Sequence, residues 1–356
     1  MLPSSTRKPV QEPVVSVSIT SLPAWEHYRV GLLPRYQLDN GQIRMEVLAL
    51  GGIVRKLELK RDDGSWQNLV LGCDSAGDYL SQKACLGSIV GRWANRIANS
   101  SCKVDGQTLE LDANLYPHHL HGGLAGFHHR VFQLCPIEDG LQLKLTSADG
   151  EAGFPGNLDV VVNYRLDGSN WKVEMAAEVD KPCPVNLTQH SYFNFGHALT
   201  DYQLECHAPY IVLTDNEGIP VTLERSDKSP LNLSGNARIG DLFEQPLEEI
   251  RQVGGLDHCY LWTNDDRQLK PRVTVTAPTT GLKMTLHSDQ PGMQIYTGNH
   301  LGGTPAYEGR CYKHHQGIAL EPGLWPDAPN QPGDTKGILR PGERYQHTSV
   351  YQFERI

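Results

Sequence analysis

Apolar and polar residues alternate in short runs along most of this sequence, and this period of two restricts the fold more than any other feature. Successive side chains of a β-strand point to opposite faces, so such runs predict strands with one buried face. Helical periodicity is scarce, and only residues 77–84 and 247–252 predict short helices. The runs that predict strands are residues 43–50, 142–146, 160–164, 172–176, 273–276 and 283–287.

These patterns predict an all-β fold of antiparallel sheets joined by long loops, with few short helices. The 35 glycines and 23 prolines are typical of the turns that such a fold needs. No repeat, low-complexity block or linker divides the chain, so residues 21–356 are expected to form one domain. Residues 1–20 are polar and contain proline, and we expect them to form an N-terminal extension.

The charge and the hydropathy of the chain limit the kinds of partner that it can bind. Its 32 basic residues are spread out and its formal net charge is −9, so it offers no basic stripe to the phosphates of nucleic acid. No apolar run approaches the roughly 18 residues of a membrane span, and the N-terminal segment lacks the apolar stretch of a signal peptide. We therefore expect a cytoplasmic protein with no membrane or nucleic-acid partner, either a monomer or a homodimer.

The eight cysteines provide no evidence for a metal or disulfide framework. They lie far apart and never form a C-x-x-C pair, which disfavours a structural zinc site. Cysteine is among the residues most often buried, and long chains seldom depend on disulfides. We expect reduced, partly buried thiols.

Polar side chains suited to chemistry concentrate in five stretches, and the first two are rich in arginine and histidine. GRWANRI contains Arg92, Asn95 and Arg96, whose guanidinium and amide groups can donate to a neutral polyol or a carboxylate. For either arginine alone, a structural tie to backbone carbonyls is an equal alternative. The second stretch, NLYPHHLHGG, contains His118, His119 and His121. If His119 and His121 lie on a strand, their spacing of two places both rings on one face, as in a metal-binding pair.

The other three stretches each contain a candidate acid or base. NLTQHSYFNFG contains a lone histidine, His190, which in a strand is more often structural than catalytic. GGLDHCYLW contains Asp257 and His258 after a flexible Gly-Gly pair. In IALEPGLWPD, Glu321 follows an apolar strand, and the Pro-Gly pair after it predicts that the strand ends there, with the carboxylate at a sheet edge or loop mouth. Asp327 is expected to be a turn residue.

The residue types fit acid/base chemistry on a neutral, ring-shaped polar substrate. The sequence contains no G-x-x-x-x-G-K-[ST], no G-x-G-x-x-G before a helix, no G-x-S-x-G and no H-E-x-x-H. Phosphate transfer, hydride transfer and serine hydrolysis are therefore disfavoured. No metal or redox cofactor is implied.

Six motifs, in sequence order, resemble those of the aldose 1-epimerase, or galactose mutarotase, family. GRWANRI resembles G-R-x-A-N-R-I, LHGG resembles the start of L-H-G-G-x-x-G-F, and DGEAGFPGNL resembles D-G-x-x-G-[YF]-P-G-x-[LV]. NLTQHSYFNFG, LDHCY and PGMQIYTGN resemble N-L-T-x-H-x-Y-F-N-L, the D-H element and P-x-x-Q-x-Y-[TS]-x-N. The resemblance covers nearly the whole chain and implies a large antiparallel β-sandwich, the supersandwich, which acts on a free hexose such as galactose or glucose.

The resemblance also implies roles for particular residues. The family's base falls on Glu321, its acid on His190 and its other active-site histidine on His121. With ordinary pKa values of about 4.3 and 6.5, an ionised Glu321 and a protonated His190 would set the acidic and alkaline limbs of the rate. The residues implied to bind sugar are Asn95, Arg96, Asp257 and Gln294.

The chain departs from the family pattern in two places. Glu321-Pro322-Gly323 replaces the common E-T-Q, and residues 219–223 replace I-P-T-G-E with Ile-Pro-Val-Thr-Leu. Both departures bear on which sugar is bound rather than on the type of reaction.

Two other hypotheses remain open at the level of sequence. A carbohydrate-binding sandwich without activity would use the same polyol donors and aromatic residues, but gives no reason to bring Glu321 and His190 together. A metal-dependent sugar isomerase or lyase would use His119 and His121, with His128 or Glu321 as a third ligand. Anomer exchange distinguishes the first alternative, and sensitivity to chelators the second.

Overall fold

Strands dominate the computed structural model, which describes residues 16–262, 267–332 and 336–356. All pairings between strands in these ranges are antiparallel, as the sequence predicts. Residues 77–84 and 247–252 were expected to be helical, and short helices lie at both places. A third short helix was not predicted. The helices are α1 (Ala76–Ser81), α2 (Ile239–Glu244) and α3 (Glu248–Val253).

The largest sheet has nine strands, and the alternating runs found in the sequence form its centre. In its fourth strand, for example, Trp171, Val173 and Met175 are buried while the residues between them are half-exposed. This alternation confirms the prediction of strands with one buried face. Numbered in chain order and given in spatial order, the strands are β11 (Gln133–Ile137), β12 (Gly140–Ser147), β13 (Leu158–Asp167), β14 (Asn170–Val179), β28 (Tyr345–Arg355), β24 (Leu282–Ser288), β23 (Lys270–Ala277), β18 (Gln203–Cys206) and β21 (Ala237–Arg238).

A six-stranded sheet packs against the nine-stranded one through a shared apolar core. Phe193 of the smaller sheet lies on Tyr351 and Phe353 of the larger, with ring centroids 5.3 and 6.3 Å apart. The two sheets thus form the predicted antiparallel β-sandwich. In spatial order, the strands of the smaller sheet are β17 (Tyr192–Phe193), β26 (Ile318–Gly323), β25 (Gly292–Tyr296), β22 (Asp257–Leu261), β19 (Tyr210–Thr214) and β20 (Pro220–Arg225).

The N-terminal part of the chain forms a five-stranded sheet. Its strands, in spatial order, are β1 (Ser18–His27), β2 (Gly31–Asp39), β3 (Ile43–Leu48), β4 (Ile53–Lys60) and β5 (Trp66–Asn68). Of the extension expected at residues 1–20, residues 1–15 lie outside the described residues, and β1 begins at Ser18.

Four two-stranded pairs join distant loops. One pair connects GRWANRI to the segment before LHGG, and another connects the residues before GRWANRI to NLTQHSYFNFG. Motifs far apart in sequence are therefore neighbours in space. The pairs are β6 (Ile89–Val90) with β16 (Thr188–Gln189), β7 (Arg96–Ile97) with β10 (His119–Leu120), β8 (Ser101–Val104) with β9 (Gln107–Glu110), and β15 (Cys183–Pro184) with β27 (Ile338–Leu339).

The structure also bears on the predicted cysteine chemistry. All eight cysteines are free and only Cys311 is exposed, which agrees with the prediction of partly buried thiols. Among the described residues, no helix combines the length and apolar character needed to cross a membrane. The cytoplasmic location and the monomeric or homodimeric state stay predictions.

Candidate active site

Alternation along three neighbouring strands, β22, β25 and β26, sorts their side chains between the core and a cleft. Tyr260, Met293, Ile295 and Leu320 belong to the main apolar core. The residues between them point to the opposite face because successive strand residues alternate. The cleft-facing residues are Asp257, Cys259, Gln294, Tyr296 and Glu321.

Gln294 occupies the centre of this polar face. It lies directly across from Cys259 on one neighbouring strand and from Glu321 on the other. Its Nε2 donates to Asp257 Oδ1 at 2.6 Å, whereas its Oε1 is buried and has no hydrogen-bond partner. A buried acceptor without a partner is costly, so this oxygen is suited to a ligand hydroxyl. His258, next to Asp257, is absent from the cleft wall, and its Nδ1 accepts from the Asp257 N–H.

The strand that carries Glu321 does not end there, contrary to the prediction from the Pro-Gly pair. β26 continues through Pro322 and Gly323, and both pair with β25. Glu321 therefore lies inside the sheet with 7% of its surface exposed, and not at an edge. Gly323 faces Asn186, and a Cβ there would lie 2.8 Å from Asn186 Oδ1.

His190 reaches the cleft from the loop between β16 and β17. Its N–H donates to the Ser88 carbonyl at 2.9 Å, and its own carbonyl accepts from the Gly87 N–H at 3.0 Å. These bonds fix the backbone and place Nε2 3.3 Å from Glu321 Oε1. The lone histidine is thus paired with a carboxyl group, a contact that favours the catalytic interpretation over the structural one.

Burial reverses the protonation expected from ordinary pKa values. Desolvation, the largest cause, and the charge of Asp257 together raise the pKa of Glu321 to about 8, against the opposing effect of Arg96. Desolvation also lowers the pKa of His190 to about 4, because the buried imidazolium is penalised. At neutral pH the pair therefore holds one proton, on Glu321, and neither group is charged. The prediction of an ionised Glu321 beside a protonated His190 is wrong for the free protein.

His121 lies beside the pair and is held as a fixed hydrogen-bond donor. Its Nδ1 accepts the Asn95 N–H at 3.2 Å, so the neutral ring carries its proton on Nε2. Burial is the largest cause that keeps the pKa of His121 well below its usual range, so the ring stays neutral. It packs edge-on against His190 with ring centroids 5.4 Å apart.

His119 and His121 do not share a face, contrary to the prediction of a metal pair. The strand stops at Leu120, and His121 has a φ of 51°, which breaks the alternation. The His119 ring instead bonds the Asp112 carbonyl through Nδ1 at 2.9 Å and packs on Phe154. It is absent from the cleft wall.

The cleft encloses about 480 Å³, and all seven predicted site residues line it. They are Glu321, His190, His121, Asn95, Arg96, Asp257 and Gln294.

The sequence analysis did not predict several other residues that also line the cleft. Tyr296 could have been predicted from the sequence, because it lies two residues after Gln294 and so on the same face of the strand. His118 belongs to the second polar stretch but was not assigned a role, and Cys85 and Glu217 gave no signal, because they come from separate loops that only the fold brings together.

A comparison with known families decides what kind of protein has this cleft. The model of the family described as aldose 1-epimerase matches residues 34–352, most of the chain. The chain belongs to the aldose 1-epimerase family. Aldose 1-epimerases are isomerases, so the predictions of family and enzyme class are both confirmed.

Individual members of the aldose 1-epimerase family are similar to this chain over nearly their full length. Galactose mutarotase from Homo sapiens is 34% identical over 330 residues, which cover 91% of this chain and 94% of that protein. Aldose 1-epimerase from Escherichia coli (strain K12) is 36% identical over 325 residues, 88% and 93% of the two chains. The crystal structure of galactose 1-epimerase from Lactobacillus acidophilus NCFM superposes with a TM-score of 0.83 at 25% identity, covering 96% and 99%.

The fold gives a physical reason for two of the motifs that mark this aldose 1-epimerase family member. Gly122 of LHGG has a φ of 88°, and a Cβ there would lie 1.8 Å from the carbonyl oxygen of Gly91 in GRWANRI. The two motifs touch through backbone alone, so only glycine fits. This contact fixes the loop that carries His121 against the loop that carries Arg96.

The two arginines of GRWANRI have different tasks. Arg92 is buried and donates to Ser147 Oγ and to the carbonyls of Ser147, Ala148 and Pro155, so it is the structural tie. Arg96 lines the cleft, and its Nε is buried without a hydrogen-bond partner. Of the two alternatives for these arginines, the structural tie to backbone carbonyls therefore holds for Arg92, and the donor in a binding site holds for Arg96.

This division of tasks predicts opposite results for matched substitutions. Arg92→Met should lower the free energy of unfolding by about 3 kcal/mol or more, because it leaves buried carbonyls without donors. Arg96→Met should change it by less than about 1 kcal/mol, since no structural hydrogen bond is lost. Urea denaturation followed by circular dichroism measures both, and equal losses would contradict the assignment.

Proposed function

We propose that this protein interconverts the α and β anomers of a free hexose, such as galactose or glucose, by opening and reclosing the pyranose ring. The observation that carries the proposal is the buried contact between His190 Nε2 and Glu321 Oε1, 3.3 Å apart, in a cleft with further sugar-matched donors and acceptors. The names of the relatives, galactose mutarotase and aldose 1-epimerase, support it.

Ring opening requires two proton transfers. Glu321, as the base, takes the proton of the anomeric hydroxyl, and the oxygen left behind forms the aldehyde carbonyl as the bond from C1 to the ring oxygen breaks. His190, as the acid, donates its proton to that ring oxygen, which becomes a hydroxyl. Rotation about the C1–C2 bond and the reverse transfers close the ring to the other anomer.

The protonation of the pair fits this cycle. The reactive form, an ionised Glu321 beside a protonated His190, has the same single proton as the resting form and arises when the proton passes from Glu321 to His190. Ring opening then moves a proton to Glu321 and removes one from His190. While the sugar is in its open-chain form, Glu321 is therefore protonated and His190 is neutral, which is the state that burial favours.

The other residues of the cleft are suited to orienting the sugar. His121 donates through Nε2 because its Nδ1 is occupied by Asn95. Arg96 supplies guanidinium donors, and Gln294 presents the unpartnered Oε1 as an acceptor beside Asp257. Donors and acceptors in fixed positions suit the hydroxyls of a neutral sugar.

The two alternative hypotheses fare differently. A binding module has no use for a buried acid/base pair that is costly to desolvate, so Glu321 and His190 favour catalysis. Among the described residues, His121, His190 and Glu321 do place one ligand atom each within 4.8 Å of one another. The Asn95 N–H, however, keeps the proton of neutral His121 on Nε2, so coordination there would require that this hydrogen bond be given up.

The base is tested by Glu321→Gln. The amide keeps the shape but cannot accept the proton, so kcat should fall by about 10³-fold while the Kd for the sugar changes little. Polarimetry or anomer-resolved NMR on a panel of freshly dissolved α-sugars, with the spontaneous rate subtracted, gives kcat; calorimetric titration gives Kd. Glu26→Gln, an exposed site on β1, is the matched control. A Glu321→Gln protein that keeps most of its activity would refute the assignment.

The pH dependence distinguishes the buried pair from ordinary groups. Activity needs one proton on the pair, so kcat/KM should be flat between pH about 4 and about 8 and fall on both sides. Below the plateau His190 gains a second proton, and above it Glu321 loses the only one. An imidazole of ordinary pKa, about 6.5, would instead lower the rate about tenfold by pH 7.5. Rates at pH 6.5 and 7.5 decide between the two.

Chelation tests the metal-dependent alternative. The proposed reaction proceeds by proton transfer alone, so the rate after exhaustive dialysis against EDTA should stay within about twofold of the untreated rate. Activity that disappears and returns with one added metal ion would show instead that His121, His190 and Glu321 are ligands.

A further inference from the structure

We infer that Glu217, held by His118, is a specificity-determining residue that selects neutral aldoses over anionic ones at the outer end of the cleft. The inference rests on the proposed function. It assigns a task to the turn that joins β19 to β20, which comes directly before the residues of β20 in which this chain departs from the family pattern.

The turn that carries Glu217 is fixed by its own hydrogen bonds. Asp215 Oδ1 accepts the N–H of Glu217 at 2.9 Å and that of Ile219 at 3.0 Å. The Gly218 N–H donates to the Asp215 carbonyl at 3.0 Å. These bonds fix the backbone from which the Glu217 side chain extends.

Gly218 places the turn against the sugar-binding arginine. Its φ is 78°, and a Cβ there would lie 2.7 Å from Arg96 Cζ, so the bare backbone packs directly on the guanidinium. The charge of Arg96 also acts on Glu321 from within the cleft. Arg96 thus has the turn that carries Glu217 on one side and the acid/base pair within reach of its charge.

His118 holds the carboxylate of Glu217 at the cleft wall. The Asn99 N–H donates to His118 Nδ1 at 3.0 Å, so Nε2 carries the ring proton. Nε2 then donates to Glu217 Oε2 at 3.1 Å. The His118 side chain is 6% exposed and that of Glu217 is 60% exposed, so a buried donor anchors an accessible acceptor. Both residues line the cleft that contains Glu321.

An anchored carboxylate distinguishes substrates by charge. It accepts hydrogen bonds from the hydroxyls of a neutral aldose, and such charge-assisted bonds are stronger than neutral ones. An aldose with its own carboxylate at that end, a hexuronate, meets a like charge well within the Debye length of about 8 Å. Arg96 and Lys83 also line the cleft, so removal of the Glu217 charge should leave it attractive to anions.

Glu217→Gln tests the inference through the ratio of two substrates. With the best hexose of the panel, KM should rise about 3- to 10-fold while kcat changes less than about twofold, because binding is weakened and the proton transfers are not. The ratio of kcat/KM for galacturonate or glucuronate to that for the hexose should rise about tenfold or more. Glu217→Lys should raise this ratio further, and Glu26→Gln should leave it unchanged.

The outcomes separate this inference from the proposed function. Wild-type protein that accelerates hexose mutarotation, together with an unchanged hexuronate ratio in both Glu217 variants, overturns the role of Glu217 alone. A loss of kcat that equals the change in kcat/KM would show that Glu217 acts in the reaction and not in selection. Wild-type protein that leaves every sugar at its spontaneous rate overturns both proposals.

Discussion

The burial of Glu321 beside His190 is the constraint on which the rest of the site depends. An ionised Glu321 and a protonated His190 in the middle of a sheet would each lose several kcal/mol of hydration, so in the resting pair the one proton lies on Glu321 and both groups are neutral. The strand that carries Glu321 pairs with β17 at Ile318 and Ala319 and with β25 along its length. Burial of the two side chains is the main cause of their shifted pKa values.

Backbone contacts join the loops that surround the pair. The β7–β10 pairing joins the loops of Arg96 and His121, and the β6–β16 pairing positions the segment before His190. Gly122 closes on Gly91 without a side chain between them. These contacts are between backbone groups, so they position the loops that carry Arg96, His121 and His190 relative to one another.

The inner end of the cleft, at Glu321 and His190, is buried, whereas the outer end, at Glu217, is exposed. The two ends therefore act on the substrate in different ways. At the inner end, desolvation dominates and controls where one proton lies. At the outer end, Glu217 is open to solvent but fixed by His118, so charge and hydrogen bonding act on the substrate without a large burial cost. Arg96 connects the two ends, because it packs on Gly218 and acts on Glu321.

The sequence by itself determined the strands, because the alternation of apolar and polar residues is a local pattern. It also determined the seven cleft residues, because six motifs in sequence order resemble those of one family. Only the tertiary structure decided that β26 runs past Glu321, that His121 turns away from His119, and that Arg92 is a tie while Arg96 faces the cleft. It also reversed the protonation of Glu321 and His190 and brought Glu217 to His118. Desolvation and contacts between distant loops depend on the whole packed fold, and no local pattern contains them.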